Sequence, residues 1–305
     1  MNSYDKSFAN RTLFRIALSS IRVMHKFFYN TPIHRLGFVT RTYERLFHLA
    51  VDRNSIVEVS FDGLTIMVPG KDIAMLPSLL NHTYEAYELR LLKQLLGPGM
   101  TFIDVGANVG LYSIVGARCV SPNGTVYSFE PVPENFEILN QNLSNNGIAN
   151  VETAKAAVGD RAGTFSMYLE DNSACTHSLV KLRDSYRPDQ KIEVEAITLD
   201  GYFQDRMPIL IDTMKIDVEG YEAQVLSGAS IVLSRTNHLF IEYEPGAFKA
   251  THTIAQFIDL LKCFPFIYGL NERSQSLSLF KTSDFYESTY LNLLASKTDL
   301  LETLS

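Results

Sequence analysis

The stretch FIDVGANVGLYS, residues 102–113, decides the fold. An apolar run reaches an acid, Asp104, then turns through Gly106 and Gly110 into residues that read as a helix. A strand that turns through glycines into a helix opens a βα unit. The middle position of the expected glycine triplet, however, is Asn108. A dinucleotide site sets Gly-x-Gly-x-x-Gly at this place so that a pyrophosphate rests on the helix N-terminus. The glycine spacing here is different, and an anionic Asp104 repels a pyrophosphate. It suits an ammonium or a sulfonium instead.

Working outward, strands and helices alternate. TFIDVG is a short strand, NVGLYSIVGARCV a helix, GTVYSFEP a second strand, and ENFEILNQNLSNNG a helix stopped by Asn146-Gly147. VETAKAAVGD reads as a third strand. The β-like runs GTFSMYL and KIEVEAITL then interrupt the alternation, with a polar loop between them. It resumes with the strand TMKIDVEG, one helix over YEAQVLSGASIVLS, and the strand HLFIEYEP. A helix over THTIAQFIDLLKC and weaker strands near 265–281 follow. This pattern predicts an α/β fold with a mostly parallel, doubly wound sheet and a β-hairpin insertion. Before it, SIVEVSFDGLTIMVPG (55–70) is a hairpin turning at Asp62-Gly63, because a type I′ turn needs positive φ at both central residues. A helix over 83–99 ends at Gly97-Pro98-Gly99.

The bulk numbers restrict the function. Apolar content of 46% and charged content of 20% are those of a globular chain. Three widely spaced cysteines without a Cys-x-x-Cys pair indicate neither a disulfide framework nor a zinc site. A reducing, cytoplasmic compartment is the default, and no metal site is expected. Residues 1–50 hold eight Lys and Arg against two acids, whereas the whole chain carries a net charge of −7. The acidic body argues against nucleic acid as a partner. Residues 9–29 place Leu13, Phe14, Ala17, Ile21, Met24 and Phe28 at helical spacing, opposite Arg11, Arg15, Arg22 and Lys26. That helix packs on the main domain or rests peripherally on an anionic membrane surface. No apolar run approaches the ~20 residues that span a bilayer, and no signal peptide is evident.

In a doubly wound sheet, ligands bind beyond the carboxyl ends of the strands. The acids predicted there are Asp104, Glu130, Asp160, Asp217 and Glu244. Glu130 stands twenty residues beyond Gly110, where an acid accepts both hydroxyls of a ribose. In KIDVEG (215–220), Asp217 and Glu219 are two apart, so on a strand both approach the crevice. His177, in the loop 170–191, has a side chain that titrates near neutrality and is a further candidate base.

These residues carry a resemblance. FIDVGANVGLYS, VYSFEPVPENFEILNQN, AAVGD and MKIDVEGYEAQVLSGA, in that order, are similar to the signature of the FkbM-type methyltransferases, over about residues 80–295. The resemblance implies a Rossmann-like class I fold, S-adenosylmethionine as cofactor, and methyl transfer to an acceptor hydroxyl. It implies a division into a basic helical extension (1–50), a hairpin segment (51–82) and the methyltransferase domain (83–305). Carried over, Asp104, Gly106, Asn108 and Gly110 surround the methionyl part of the cofactor, and Glu130 holds the ribose. Gly159 and Asp160 lie by the adenine. Tyr84 and Glu85 match a motif before the first strand, where they close the cofactor pocket. Asp217 is the favoured base or acceptor-orienting group, with its cofactor contact as the alternative; Glu219 and His177 follow. By resemblance the acceptor is a small molecule or glycan, a saccharide or glycosylated metabolite. An N-methyltransferase acting on a protein or small molecule, or a non-catalytic cofactor-binding module recruited by the basic N-terminus, are the rival readings.

Overall fold

The computed structural model describes residues 45–49, 51–169, 178–179, 191–206, 210–249 and 251–302. The amphipathic helix expected over 9–29 and the candidate base His177 lie outside the described residues, as does most of the loop 170–191. The chain divides into two compact units, the boundary falling between Tyr84 and Glu85.

The first unit contains a helical turn at 45–49, strands β1 (Ile56–Phe61) and β2 (Leu64–Pro69), and helix α1 (Met75–Leu80). β1 and β2 pair antiparallel, and the turn between them has Asp62 at φ 49° and Gly63 at φ 72°. These are the two positive values that a type I′ turn requires. Burial alternates strictly along β1, with Val57, Val59 and Phe61 inward. The Asp72 carboxylate accepts from the N–H groups of Ala74 (3.0 Å) and Met75 (2.8 Å), donors at the start of α1 that the helix itself leaves unpaired.

The second unit starts with α2 (Ala86–Leu95) and then runs β3 (Thr101–Val105), α3 (Leu111–Val120), β4 (Thr125–Phe129), α4 (Pro133–Asn145) and β5 (Val151–Ala154). The short strand β6 (Ala157–Val158) leads to β7 (Gly163–Tyr168) and β8 (Lys191–Ile197). After α5 (Leu199–Tyr202) come β9 (Ile211–Ile216), α6 (Glu222–Ser227), α7 (Ser230–Ser234) and β10 (Thr236–Tyr243). The unit ends with α8 (Pro245–Phe248), α9 (Ile254–Leu260), β11 (Phe266–Asn271), β12 (Ser276–Leu279), α10 (Asp284–Glu287) and β13 (Leu291–Ser296).

Eight of these strands form one sheet in the order β12-β11-β13-β10-β9-β3-β4-β5. β5, β4, β3, β9 and β10 run parallel, while β10–β13, β13–β11 and β11–β12 pair antiparallel. This is the mostly parallel, Rossmann-like class I arrangement. From β3 the chain moves outward through β4 to β5, then returns to the other side of β3 with β9. The strand order therefore reverses between β3 and β9, the switch point at which ligands bind in such sheets. One sheet face buries Ile103, Val105, Met214, Ile216, Leu239 and Ile241 in the main core. On the other face α3 lies so close that a Cβ on Gly116 would sit 2.5 Å from the Phe102 ring.

Three expectations change. VETAKAAVGD is two strands: β5 pairs with β4, whereas β6 leaves the main sheet and pairs with β8. Ala157 is then buried in the small core of the three-stranded β6-β8-β7 sheet, with Met167, Val194 and Ala196. The helix over 221–234 breaks at Gly228, where a Cβ would sit 2.0 Å from the Gly159 carbonyl oxygen. β13 has no counterpart among the expected strands, yet it is the inner strand that joins the antiparallel ribbon to β10. Among the described residues, no helix is long and apolar enough to cross a membrane.

Candidate functional site at the carboxyl edge of the sheet

The β3–α3 turn is fastened to the end of β4. The N–H groups of Gly106 and Ala107 both donate to the Phe129 carbonyl oxygen, at 3.0 and 2.9 Å. Gly106 has φ 82° and Gly110 φ 88°. A Cβ on Gly106 would come within 1.8 Å of the Asp217 carbonyl oxygen, and one on Gly110 within 2.3 Å of Leu139. Both positions thus require glycine for conformation and for space. Asn108, in place of the middle glycine, has φ 50°, a left-handed conformation that asparagine tolerates. Its N–H donates to Glu130 Oε2 at 2.9 Å, and the Val132 N–H donates to Glu130 Oε1 at 2.8 Å. Burial pushes the Glu130 carboxyl up to about 7 against these two backbone donors. An Asn135 side-chain hydrogen bond adds to these two, so of the roughly four acceptor positions of a carboxylate about one stays open for a ribose hydroxyl.

Across the switch point, Asp104 on β3 stands in register with Lys215 on β9 and Ser128 on β4. The Ser113 hydroxyl donates to Asp104 Oδ2 at 2.6 Å and accepts from Ser128 at 2.8 Å. Lys215 is buried, its Nζ 2.5 Å from Asp217 Oδ2 and 4.4 Å from the centre of the Tyr112 ring. Desolvation alone would lower the Lys215 pKa; the surrounding carboxyls of Asp217, Glu85, Glu88 and Asp104 hold it well above its ordinary value. Glu88 accepts from the Tyr112 hydroxyl (3.0 Å) and from Asn292 Nδ2 (2.9 Å). Glu85, at the N-cap of α2 with φ 41°, has one carboxyl oxygen buried without a hydrogen-bond partner. Burial raises Glu85 to about 8 and Asp104 to about 6, Lys215 opposing in both cases.

Four carboxyls thus face one ammonium, and Lys215 is the only buried Lys or Arg among the described residues. Such a surplus fits a ligand that brings positive charge. The structure brings the carboxyls of Glu85, Asp104 and Asp217 together around Lys215. Glu88, Tyr112, Ser113 and Lys215 complete the group: Tyr112 and Ser113 end the stretch 102–113 and Lys215 opens KIDVEG, whereas Glu88 comes from α2, outside those motifs.

β9 ends at Ile216, and the Asp217 N–H extends the ladder one residue further by donating to Val105 O at 3.0 Å. Glu219 is not on the strand: it has φ 52°, followed by Gly220 at φ 93°. Strand alternation therefore does not orient it, contrary to the expectation from KIDVEG. Ser178 Oγ donates to its carbonyl oxygen at 2.5 Å. The turn is closed by Glu222, whose Oε1 accepts from the N–H groups of Val218 and Gly220, both at 3.1 Å. Gly159 and Asp160 follow β6. A Cβ on Gly159 would sit 2.9 Å from the ring of Tyr221, next to that turn, while Asp160 is at the surface, 3.5 Å from Arg161. The carboxyl of Glu242 on β10, which the motifs do not single out, has Asp217 and Glu222 as neighbours.

The sequence model described as Methyltransferase FkbM domain matches residues 104–267, and that of Protein-L-isoaspartate(D-aspartate) O-methyltransferase matches residues 37–164. Methyltransferase sdnD of Sordaria araneosa is 28% identical over 41% of this chain and 59% of its own length. The 31-O-demethyl-FK506 methyltransferase FkbM of Streptomyces tacrolimicus is 30% identical over 44% of this chain and 60% of its own. The hexuronic acid methyltransferase AglP of Haloferax volcanii is 24% identical, over 47% and 55%. The chain thus spans less than two thirds of the length of these relatives.

Proposed function

Because the chain belongs to the FkbM methyltransferase family, whose cofactor is S-adenosylmethionine, we propose that it transfers a methyl group to a hydroxyl of a saccharide or glycosylated metabolite. The observation that carries this reading is the surplus of buried carboxyls around Lys215 at the switch point of the sheet. The cofactor supplies an electrophilic methyl carbon on a sulfonium, and its two cationic groups fit that surplus. Asp104, Gly106, Asn108 and Gly110 are assigned to its methionyl part, with Glu85 beside them. Glu130 is assigned to the ribose, and Gly159 and Asp160 to the adenine. Asp217, held by Lys215, orients the reacting groups. Alignment in a fixed frame is itself a large part of catalysis for a displacement of this kind, equivalent to an effective concentration on the order of 10⁵ M or more.

The saccharide acceptor is supported by the name of one relative, a hexuronic acid methyltransferase, and methylation on oxygen by that of another, a 31-O-demethyl-FK506 methyltransferase. Calorimetry with S-adenosylmethionine tests the first half of the proposal; an absence of binding heat removes it. Incubation of the protein with methyl-labelled cofactor and a panel of saccharides and glycosides, followed by mass spectrometry of the labelled product, tests the second. A label on nitrogen in that product would overturn the O-methyl assignment.

A further inference from the structure

Glu242 lies on β10 directly after Ile241, which is in register with Ile216, just as Asp217 follows Ile216. Opposite it on β13 is Asn292, whose side chain reaches Glu88. Glu242 and Asp217 therefore extend the row of Asp104 and Lys215 toward the carboxyl edge. Their surroundings differ. The Asp217 carboxylate is taken by Lys215. Glu242 has one carboxyl oxygen, Oε2, that is buried without a hydrogen-bond partner. The groups acting on it are Asp217 beyond β9, Glu222 of α6, Glu244 at the end of its own strand, and the Tyr290 hydroxyl beside β13, which hydrogen-bonds the carboxyl. The one ammonium on this row, Lys215, is taken by Asp217.

We propose that Glu242, and not Asp217, takes the proton from the acceptor hydroxyl. This rests on the cofactor and hydroxyl readings above. In the transfer, a lone pair of the acceptor oxygen forms the new bond to the methyl carbon. The carbon–sulfur bonding pair remains on sulfur as a neutral thioether, and the hydroxyl proton passes to Glu242. Asp217 Oδ2 is already occupied by the Lys215 ammonium, whereas Glu242 Oε2 is open to a hydroxyl donor. Burial pushes Glu242 up to about 8, with Asp217 and Glu222 adding repulsion and Tyr290 opposing. A base with an affinity for protons near the working pH is the effective kind. Near neutral pH the free protein then holds a proton on Glu242. A cationic ligand bound along this row favours its release, so the arrival of the methyl donor prepares the base.

The test uses the full chain and Glu242→Gln, with S-adenosylmethionine and S-adenosylhomocysteine as probes. Calorimetry at pH 7.5 in buffers of different ionisation heat counts the protons released on binding, a readout independent of turnover. Wild-type protein is expected to release more protons with the sulfonium than with the thioether, and Glu242→Gln to lose part of that difference. Label transfer from methyl-labelled cofactor should fall on the order of 10²-fold or more in the variant while cofactor affinity stays within about threefold. The rising limb of the pH–rate profile should disappear with it. If Glu242→Gln does not fold, Glu242→Asp carries the same measurements, with intermediate transfer expected. Unchanged proton release, or transfer within about tenfold of wild type, overturns the inference. A wild-type protein that gives no binding heat with S-adenosylmethionine overturns the cofactor reading instead.

Discussion

The two halves of the carboxyl edge handle their buried acids differently. On the β3–β4 side, protein donors hold the carboxyls: Ser113 bonds Asp104, and the N–H groups of Asn108 and Val132 bond Glu130. On the β9–β10 side, Glu222 and Glu242 each keep one oxygen buried without a partner. A buried polar group without a partner costs about 1–3 kcal/mol. The bonded carboxyls of the first half form a fixed frame, suited to a ligand that is always the same, with Glu85 at the cap of α2 as the exception that keeps an oxygen unpartnered. The second half retains bonding capacity, suited to groups that arrive with the acceptor.

The sharpest way to break the frame is Gly106→Ala. The new methyl group would meet the Asp217 carbonyl at 1.8 Å in a backbone with φ 82°. Left-handed strain and overpacking together should cost roughly 3 kcal/mol or more. Chemical denaturation measures this, and cofactor binding should be lost with it. The control is Gly63→Ala in the hairpin of the first unit, with φ 72° and nothing within 4 Å. There only the strain remains, about 1–2 kcal/mol. Equal losses at the two glycines would show that the close approach of the β3 turn to Asp217 is unimportant.

Asp104→Asn tests the charge of the frame without changing its shape. The bond from Ser113 can persist, but the negative charge is gone. At pH 7.5, above the value of about 6 to which burial raises Asp104, S-adenosylmethionine should bind roughly 10- to 100-fold more weakly. S-adenosylhomocysteine, lacking the sulfonium, should lose less. Similar losses for both ligands would separate Asp104 from the charge recognition.

The same acids set a pH dependence. Burial raises Glu85 from 4.5 to about 8 and Asp104 from 3.8 to about 6. The folded chain therefore retains protons that the unfolded chain has lost, and stability must fall as pH rises through this window. Denaturation midpoints of the free protein should decrease from about pH 4.5 to pH 8. A cation favours the ionised carboxyls, so the preference for S-adenosylmethionine over S-adenosylhomocysteine should grow over pH 6 to 8. A flat preference would mean that the carboxyls around Lys215 do not sense the ligand's charge.

Much of the frame was legible in the sequence because it is local. The glycines of 102–113, the acid after β4 and the Asp62-Gly63 turn all act within a few residues of one another. Three features were hidden for physical reasons. Glu219 belongs to a left-handed turn, and its two-residue spacing from Asp217 looks the same whether or not the strand continues. β13 is short, and strands of this kind carry no period that distinguishes them from a helix segment. Glu88 meets Asn292 across 204 positions, a pairing that only the closed sheet creates. Lys215 shows the limit from within a motif. Its bond to Asp217, two residues away, does most to raise its proton affinity, but Glu85 and Glu88, from α2 and its cap, add to it from outside the motif.

The smallest expected effect is at Glu222, and it separates structure from chemistry on the open side. Its Oε1 accepts two backbone N–H bonds, from Val218 and Gly220, while Oε2 is buried without a partner. Burial raises its carboxyl to about 7 against those backbone donors, with Asp217 adding repulsion. Glu222→Gln keeps an oxygen for the two N–H groups and puts a neutral amide where the second oxygen was. Below pH 7 the native carboxyl is itself largely neutral, so the variant should match wild type. Above it, wild type must bury a charge that the variant lacks, whereas the bonds to the variant's neutral oxygen are weaker. These effects oppose each other, so the net change should be within about 1 kcal/mol, shifting in favour of the variant as pH rises. Denaturation at pH 6 and pH 8.5 measures that shift. A large loss at pH 8.5 would mean that the Glu222 charge is part of the frame, and that the contrast between the two halves lies at Glu242 alone.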